Sequence, residues 1–400
     1  MQATVEMINL DNIDKSEWES FPFEKIAHRI SETVDPNTTS LEVYVGLEHI
    51  DAEDIHIRRF GNPSDVKGGK LKCYPGDVIF GKRRAYQRKA AIVEFEGICS
   101  AHAFVFRANS DIIDPKLFPF FLHSDQFMHR MVDISVGGLS PTINWGNLKG
   151  EEFLLPPKSE QARLAELLWA MDEVIEAEIK NKYKYEQFYK RYLYDATSGK
   201  LSSEISKWKE HSFGKLGESF NGLSGKTKKD FGEGAPFVNY LNVFRNSKVN
   251  PEQVDYVNIG ANEKQNELKY GDILLTGSSE TPHEVGMSSV VLDELSGYYL
   301  NSFCFGFRLK DFDTFWPEYA RFLFRGEDVR KFMFRHAQGS TRFNLSKITV
   351  KSRLKLFLPP INEQKEIAER LDKMEENVLK FESKISSSQS LQKSLINQIF

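Results

Sequence analysis

Two stretches of this chain carry apolar residues spaced alternately by four and three. Ile367, Leu371, Met374, Val378, Phe381 and Ile385 form one series; Leu164, Leu168, Met171, Ile175 and Ile179 form the other. Such spacing lines one face of a helix and makes the seam of a coiled coil. Each series follows a Pro-Pro pair that holds the preceding chain extended, and Ser159 and Asn362 are capable N-caps. The first helix then turns tyrosine-rich and is predicted to stop at Ser198-Gly199, while Ser386-Ser387-Ser388, weak helix formers, predict fraying in the second. Each would run about 36 residues, or roughly 54 Å. Elsewhere the pattern changes. Residues 41–47, 77–80, 103–106, 289–292 and 302–307 are short, β-branched or aromatic, and bounded by Gly, Pro, Asn or Asp, so strands are expected. Residues 118–131 and 316–335 read as helical. The globular parts are α+β.

The helix openings are copies. Leu155-Pro156-Pro157-Lys158-Ser159-Glu160-Gln161 recurs 203 residues later as Leu358-Pro359-Pro360-Ile361-Asn362-Glu363-Gln364. Trp18, Phe23, Lys25 and Ile26 return as Trp208, Phe213, Lys215 and Leu216 at an offset of 190, and Gly76-Asp77-Val78-Ile79 as Gly271-Asp272-Ile273-Leu274 at 195. Ser140 and Asn144 match Ser340 and Asn344 at 200, and Phe106-Arg107 matches Phe307-Arg308 at 201. Insertions in surface loops account for the drift. A period near 200 residues excludes solenoid repeats, which run roughly 20–50.

The expected layout is a globular domain over residues 1–157, a helix over 158–198, a second globular domain over 199–360 and a second helix over 361–400. Short linkers put the globular domains at opposite ends of the first helix, so the second must run back along it. The expected fold is therefore α+β, with two pseudo-repeated globular domains joined by two long antiparallel coiled-coil helices in a pseudo-twofold dumbbell. The N-terminal strand of residues 1–20 should lie near the end of the second helix.

Composition narrows the class. With 40% hydrophobic and 28% charged residues, including 31 Phe, the chain can bury a core in each half and is neither fibrous nor disordered. Its apolar runs are too short to span a membrane, and Glu6, Asp11 and Asp14 do not fit a signal peptide, so a cytoplasmic location is expected. Cys73, Cys99 and Cys304 suit neither a disulfide framework nor a thiolate metal site. A net charge of −4 decides little, since acidic helices can offset basic loops.

No enzymatic motif is complete. Gly222-Leu223-Ser224-Gly225-Lys226-Thr227 lacks the first glycine of a phosphate loop, because position 220 is Phe220. Gly232-Glu233-Gly234 follows a polar segment instead of a buried strand, and Asn62-Pro63-Ser64-Asp65 lacks the second proline and aromatic of an amino-methyltransferase motif. His283-Glu284 is followed by Met287 where a zinc helix needs histidine. No catalytic and no metal-binding residue is assigned.

Basic and polar loops point to nucleic acid instead. Lys82, Arg83, Arg84, Arg88 and Lys89 place five cations in eight residues around Tyr86 and Gln87, with no acid among them. Lysine and arginine neutralise phosphates, while Arg, Gln and Tyr supply the forked donors and stacking faces that read bases. Thr142 and Asn144 are candidates beside them. The corresponding loop of the second half carries Ser278, Ser279 and His283, and basic character shifts to Lys226, Lys228 and Lys229, with Thr227, and to Arg330, Lys331, Arg335 and Arg342, with Thr341 and Asn344. Scaffold positions match between halves and ligand-facing loops do not. Two copies of one scaffold would then read unlike DNA half-sites. A coiled-coil scaffold without DNA reading, or a degenerate nucleotide- or S-adenosylmethionine-binding enzyme, remains the alternative.

The duplicated Leu-Pro-Pro-x-x-Glu-Gln at 155 and 358, with Gly339-Ser340-Thr341-Arg342-Phe343-Asn344 upstream of the second, resembles the specificity subunit of type I restriction-modification systems along essentially the whole chain. That resemblance implies two target-recognition domains that each bind half of a bipartite double-stranded DNA sequence, and no catalysis by this chain. Its helices would set the spacing and seat two modification (methyltransferase) subunits, with Glu160, Gln161, Glu363 and Gln364 as partner-binding positions. Restriction subunits would join for ATP-driven translocation and cleavage. S-adenosylmethionine, ATP and Mg would belong to the partner subunits, with no cofactor in this chain and no membrane contact. The first half's Gly138-Leu139-Ser140-Pro141-Thr142-Ile143-Asn144 departs from the Gly-Ser-Thr-Arg form of the second.

Overall fold

The computed structural model describes residues 15–400, so the expectation for residues 1–20 lies, up to residue 14, outside the described residues. The chain divides into two compact units. Among the described residues, unit one comprises 15–180 and 382–400, and unit two comprises 181–381. The first long helix is Lys158–Thr197 and the second is Ile361–Ile399, so each contributes a part to each unit.

Both units build the same main sheet. In unit one the antiparallel order is Ala27–Ile30, Ala103–Ala108, Val78–Gly81 and Ala90–Ile92; in unit two it is Gly217–Asn221, Cys304–Leu309, Ile273–Thr276 and Ser288–Val290. Val78 faces Phe106 in one register and Ile273 faces Phe307 in the other. Helices Phe118–His123 and Asp125–Asp133 cover the first sheet, and Pro317–Leu323 and Glu327–His336 cover the second. The sequence pattern predicts a single helical segment in each place. In unit one the break is at Ser124, whose hydroxyl accepts from Phe127 N and restarts the helix. A smaller second sheet flanks each main sheet: Thr33–Val34, Lys70–Cys73, Gly97–Cys99 and Tyr44–Val45 in unit one, and Val254–Val257, Phe231–Val238 and Tyr299–Leu300 in unit two. Residues 41–47, expected as a strand, hold only Tyr44–Val45 as one.

Matched residues perform matched tasks. Gly76 and Gly271 have φ of +90° and +84°, a region that penalises a Cβ, and each leads into a buried aspartate. Asp77 accepts from Tyr74 N and pairs with Arg107 at 2.7 Å; Asp272 accepts from Lys269 N and pairs with Arg308 at 2.7 Å. In both units a tight turn is thereby tied to the neighbouring strand.

The Leu-Pro-Pro element is a joint. The strand before it, Glu152–Leu155, pairs antiparallel with Glu19–Pro22, and its copy Lys355–Leu358 pairs with Lys209–Ser212. The globular part of each unit is thus closed by a two-stranded ribbon made of its own first and last strands. Just beyond the prolines, Gln161 is buried; its Oε1 accepts from Asp114 N at 2.6 Å, and its Nε2 donates to the Ile112 and Pro156 carbonyls, each at 2.9 Å. Gln364 repeats the set: Oε1 accepts from Trp316 N, and Nε2 donates to the Thr314 and Pro359 carbonyls, all at 2.9 Å. Both helices begin at the residue after the second proline, so Ser159 and Asn362 lie inside the first turn and are not the N-caps.

The seam residues pack as their spacing requires. In unit one Leu164, Leu168 and Ile175 are buried with Leu395, Ile396 and Ile399, and Gln392 Nε2 reaches the Leu168 carbonyl at 3.4 Å. In unit two Leu371 and Met374 are buried, Tyr189 donates to Glu375 at 3.0 Å and Asn377 donates to Tyr185 at 3.1 Å. Within each unit, residue numbers rise on one helix as they fall on the other, so the segments are antiparallel. The first helix stops where Gly199 takes φ +80°, as the sequence predicts. The second does not fray at Ser386-Ser387-Ser388: the helix continues, and Ser388 donates to Glu178 at 3.1 Å, inside a helix contact that offsets poor propensity.

Candidate nucleic-acid interface

At one edge of each unit, the loop following a central strand pairs with the loop preceding the joint. In unit one Arg83 bridges Thr142, Arg84 N donates to the Pro141 carbonyl at 2.7 Å, and Ile143 N donates to the Lys82 carbonyl at 2.9 Å. In unit two Ser278–Ser279 pairs with Phe343–Asn344, and Leu345 N donates to the Gly277 carbonyl at 2.8 Å. Both turn pairs are closed by a further bridge, Val136 with Thr142 and Gln338 with Asn344.

These bonds set the correspondence and correct one match. Lys82 answers Gly277 and Ile143 answers Leu345, so Ser140 corresponds to Arg342, Thr142 to Asn344 and Asn144 to Ser346. The alignment of Ser140 and Asn144 with Ser340 and Asn344 is two residues out of step. Asn144 and Ser346 are in fact the N-cap residues of helices Trp145–Leu148 and Lys347–Arg353. Small polar residues recur often enough in turns to match by accident, whereas a hydrogen-bond ladder admits one register.

The structure separates the five cations of unit one. Arg83 and Arg84 are exposed, as is Tyr86, and Arg84 Nε donates to Ser140 Oγ at 3.2 Å. Arg84 and Arg88 take φ of 57° and 51° around the single turn Ala85–Gln87, an uncommon conformation for non-glycine residues. Gln87 is half-buried, and Thr142 is held in the turn pair. Lys82 is half-buried 5.2 Å from the Phe104 ring, and desolvation lowers its pKa. Arg88 and Lys89 are internal ties and not free cations: Arg88 pairs with Glu53 at 2.9 Å and Asp125 at 2.7 Å, and Lys89 Nζ donates to the Leu47 carbonyl at 2.6 Å. Leu139, 97% exposed, forms the tip of the opposing loop.

Unit two presents a different surface on the same frame. Ser278, Ser279, Thr341 and Arg342 line a cavity of about 470 Å³ with Tyr240, Leu241, Phe244, Glu280, Glu284 and Phe303. Tyr240 donates to the Ser278 carbonyl, and Ser279 Oγ donates to Glu284, each at 2.9 Å. The Arg342 guanidinium lies 5.2 Å from the Phe303 ring. Asn344 is held by its backbone pairing to Ser278 and Gln338. His283 stacks on Phe334 with centroids 4.4 Å apart.

The second predicted basic group belongs elsewhere. Lys226 pairs with Glu263, whose carboxyl is held down at about 2 by that ammonium together with the Gln265 side chain and the Gly260 N–H, so Lys226 is a structural tie and not a free cation. Thr227 is engaged by Asp230, to which its N–H and hydroxyl donate at 2.7 and 2.8 Å. Lys228 and Lys229 are exposed on the turn before strand Phe231–Val238.

Arg330, counted in the sequence only as part of a basic run, is a clamp. Its guanidinium donates to the His283, Val285 and Gly286 carbonyls at 2.7, 2.8 and 2.6 Å, and burial pushes its pKa down to about 10. It pins the second strand-following loop from beneath. At the joints, Glu160 is exposed, Glu363 accepts from Trp208 Nε1 at 3.2 Å, and Gln161 and Gln364 are buried, which places the two glutamines inside the chain and not on a partner-facing surface.

Among the described residues, no group of three or more His, Cys, Asp or Glu side chains could hold a metal ion, and no helix is long and apolar enough to cross a membrane. One duplicated scaffold thus holds an unlike polar turn pair in each copy. The chain belongs to the family of type I restriction modification DNA specificity domains, whose model matches residues 61–185 and 205–388. The specificity subunit of the type I restriction enzyme EcoDI from Escherichia coli is 26% identical over 169 residues, 41% of this chain and 37% of that protein, so the match spans little more than a third of the relative. A solved chain of a type I R-M system, studied for complex assembly and conformational transition, is 18% identical with a TM-score of 0.63, covering 96% of this chain and 97% of that one. The type I S subunit from M. genitalium is 12% identical with a TM-score of 0.52, covering 96% of each chain. These two likenesses show the fold.

Proposed function

We propose that this chain is the DNA-specificity subunit of a type I restriction-modification enzyme, with each unit binding one half of a bipartite double-stranded DNA sequence. The observation that carries this reading is the pair of equivalent turn pairs: the same hydrogen-bond ladder holds Arg83, Arg84 and Tyr86 outward in one unit and Thr341 and Arg342 in the other, where Ser278 and Ser279 are buried beneath. Exposed guanidinium groups contact phosphates and purine acceptors, and hydroxyls and carboxylates contact other base edges, so unlike side chains on like frames select unlike bases. The chain itself does no chemistry in this account. Methyl transfer with S-adenosylmethionine belongs to two modification subunits seated on the long helices, ATP- and Mg-dependent translocation and cleavage belong to restriction subunits, and the complex works in the cytoplasm.

The test is selection of bound duplexes from a random pool by the full chain co-purified with its methyltransferase subunits. Recovery of two short fixed words separated by a spacer of unfixed sequence is expected. A single uninterrupted word, or no enrichment, contradicts the proposal.

A further inference from the structure

We infer that the two units carry one functionally equivalent guanidinium each, delivered from opposite strands of the same turn pair: Arg84 in unit one and Arg342 in unit two. The inference rests on the DNA-reading function proposed above and says which atoms the two unlike units still share.

The hydrogen-bond ladders make the positions comparable. Arg83 opposite Thr142 answers Ser278 opposite Asn344, so Arg84 stands where unit two has Ser279, and Ser140 stands where unit two has Arg342. Arginine and serine have exchanged places across the pair. In unit one the exchange is visible in space, because Arg84 Nε donates to Ser140 Oγ at 3.2 Å and the guanidinium therefore lies over the position from which the arginine of unit two projects. In unit two Ser279 turns inward to Glu284 at 2.9 Å, leaving Arg342 as the exposed guanidinium, held 5.2 Å from the Phe303 ring. Both arginines are exposed, and among the described residues neither is in an ion pair. Sequence register alone hides the equivalence, since neither arginine aligns with the other.

An exposed, unpaired guanidinium kept at one place on two otherwise divergent surfaces suits an acceptor that both half-sites present. In DNA that is an oxygen of a backbone phosphate or the O6/N7 edge of a guanine, both of which accept two parallel N–H donors. The neighbours differ between units, with Arg83 and Tyr86 beside Arg84 and with Glu280 and Glu284 beside Arg342, and these carry the difference between the words.

The experiment measures binding of the full chain with its methyltransferase subunits to the selected duplex and to a random-sequence duplex of equal length, over a series of salt concentrations. The variants are Arg84→Asn, chosen because asparagine tolerates φ > 0, Arg342→Ser, and Arg84→Asn combined with Ser140→Arg. Each single variant should bind the selected duplex roughly 5- to 100-fold more weakly, as expected for one forked contact, and the double variant should regain most of the loss. Equal weakening on both duplexes with a salt slope lower by about one assigns the contact to phosphate, and weakening on the selected duplex alone assigns it to guanine; either supports the equivalence. A double variant that melts like wild type yet binds no better than Arg84→Asn overturns it, as does an Arg342→Ser variant within twofold of wild type. Should Arg84→Asn unfold, Arg342→Ser still decides, because position 342 has ordinary backbone geometry. A wild-type complex that binds neither duplex refutes the proposed function itself, whereas a binding complex with silent arginines refutes only the equivalence.

Discussion

Replacing Gln364 with leucine should destabilise unit two by about 3 kcal/mol, with Gln161→Leu doing the same to unit one. Leucine fills much of the glutamine's volume but makes none of its bonds. The substitution strands the Trp316 N–H and the Thr314 and Pro359 carbonyls in one unit, and the Asp114 N–H and the Ile112 and Pro156 carbonyls in the other. A buried backbone group left without a partner costs about 1–3 kcal/mol, and partial access of water at the surface-facing side lowers the sum. Glu160→Ala, at an exposed position of the same motif, should stay within about 0.5 kcal/mol of wild type. Thermal melting of the four proteins checks this. A Gln364→Leu protein that melts with wild type would show that the motif does not hold the joint.

Arg330→Met should cost about 2–4 kcal/mol in unit two and weaken DNA binding selectively for the word read by that unit. Three carbonyls of the loop that carries Ser278, Ser279 and Glu284 lose their common donor. Methionine retains the apolar stem, so the packing beneath the loop changes little and the loss falls on loop position. Competition binding with duplexes altered in one word at a time is the measurement. The variant should lose discrimination at the word of unit two and keep it at the other. Equal loss at both words would show that Arg330 acts through general stability alone.

The fold was legible in the sequence wherever a position had to be the same twice. Leu155-Pro156-Pro157 and Leu358-Pro359-Pro360 announce a joint because a closing strand must end and a helix begin at each, and the apolar seams follow from helical geometry. The task of Gln161 and Gln364 was not legible, since a polar residue in a first helical turn ordinarily faces water and only the finished joint shows the backbone groups waiting for it. Fraying at Ser386-Ser387-Ser388 follows from local propensity, which the contact of Ser388 with Glu178 overrides. In the candidate interface, composition identified the 82–89 loop but could not sort its cations. Arg88 and Lys89 reach acids and carbonyls that are distant in sequence, as does Lys226, and a charge run carries no sign of such partners. The swap of Arg84 and Arg342 was hidden for a related reason: equivalence across a strand pair is a property of hydrogen-bond register and leaves no trace in a linear alignment.

The central claim is that two copies of one scaffold each read their own DNA word. Its most direct test replaces the globular part of unit one, residues 15–157, with the corresponding part of another member of the family and sequences the duplexes selected by the hybrid in the complex proposed above. One word of the split sequence should change to that of the donor while the other word stays as in the parent. A hybrid that folds and selects two new words, or the unchanged parental pair, would contradict it.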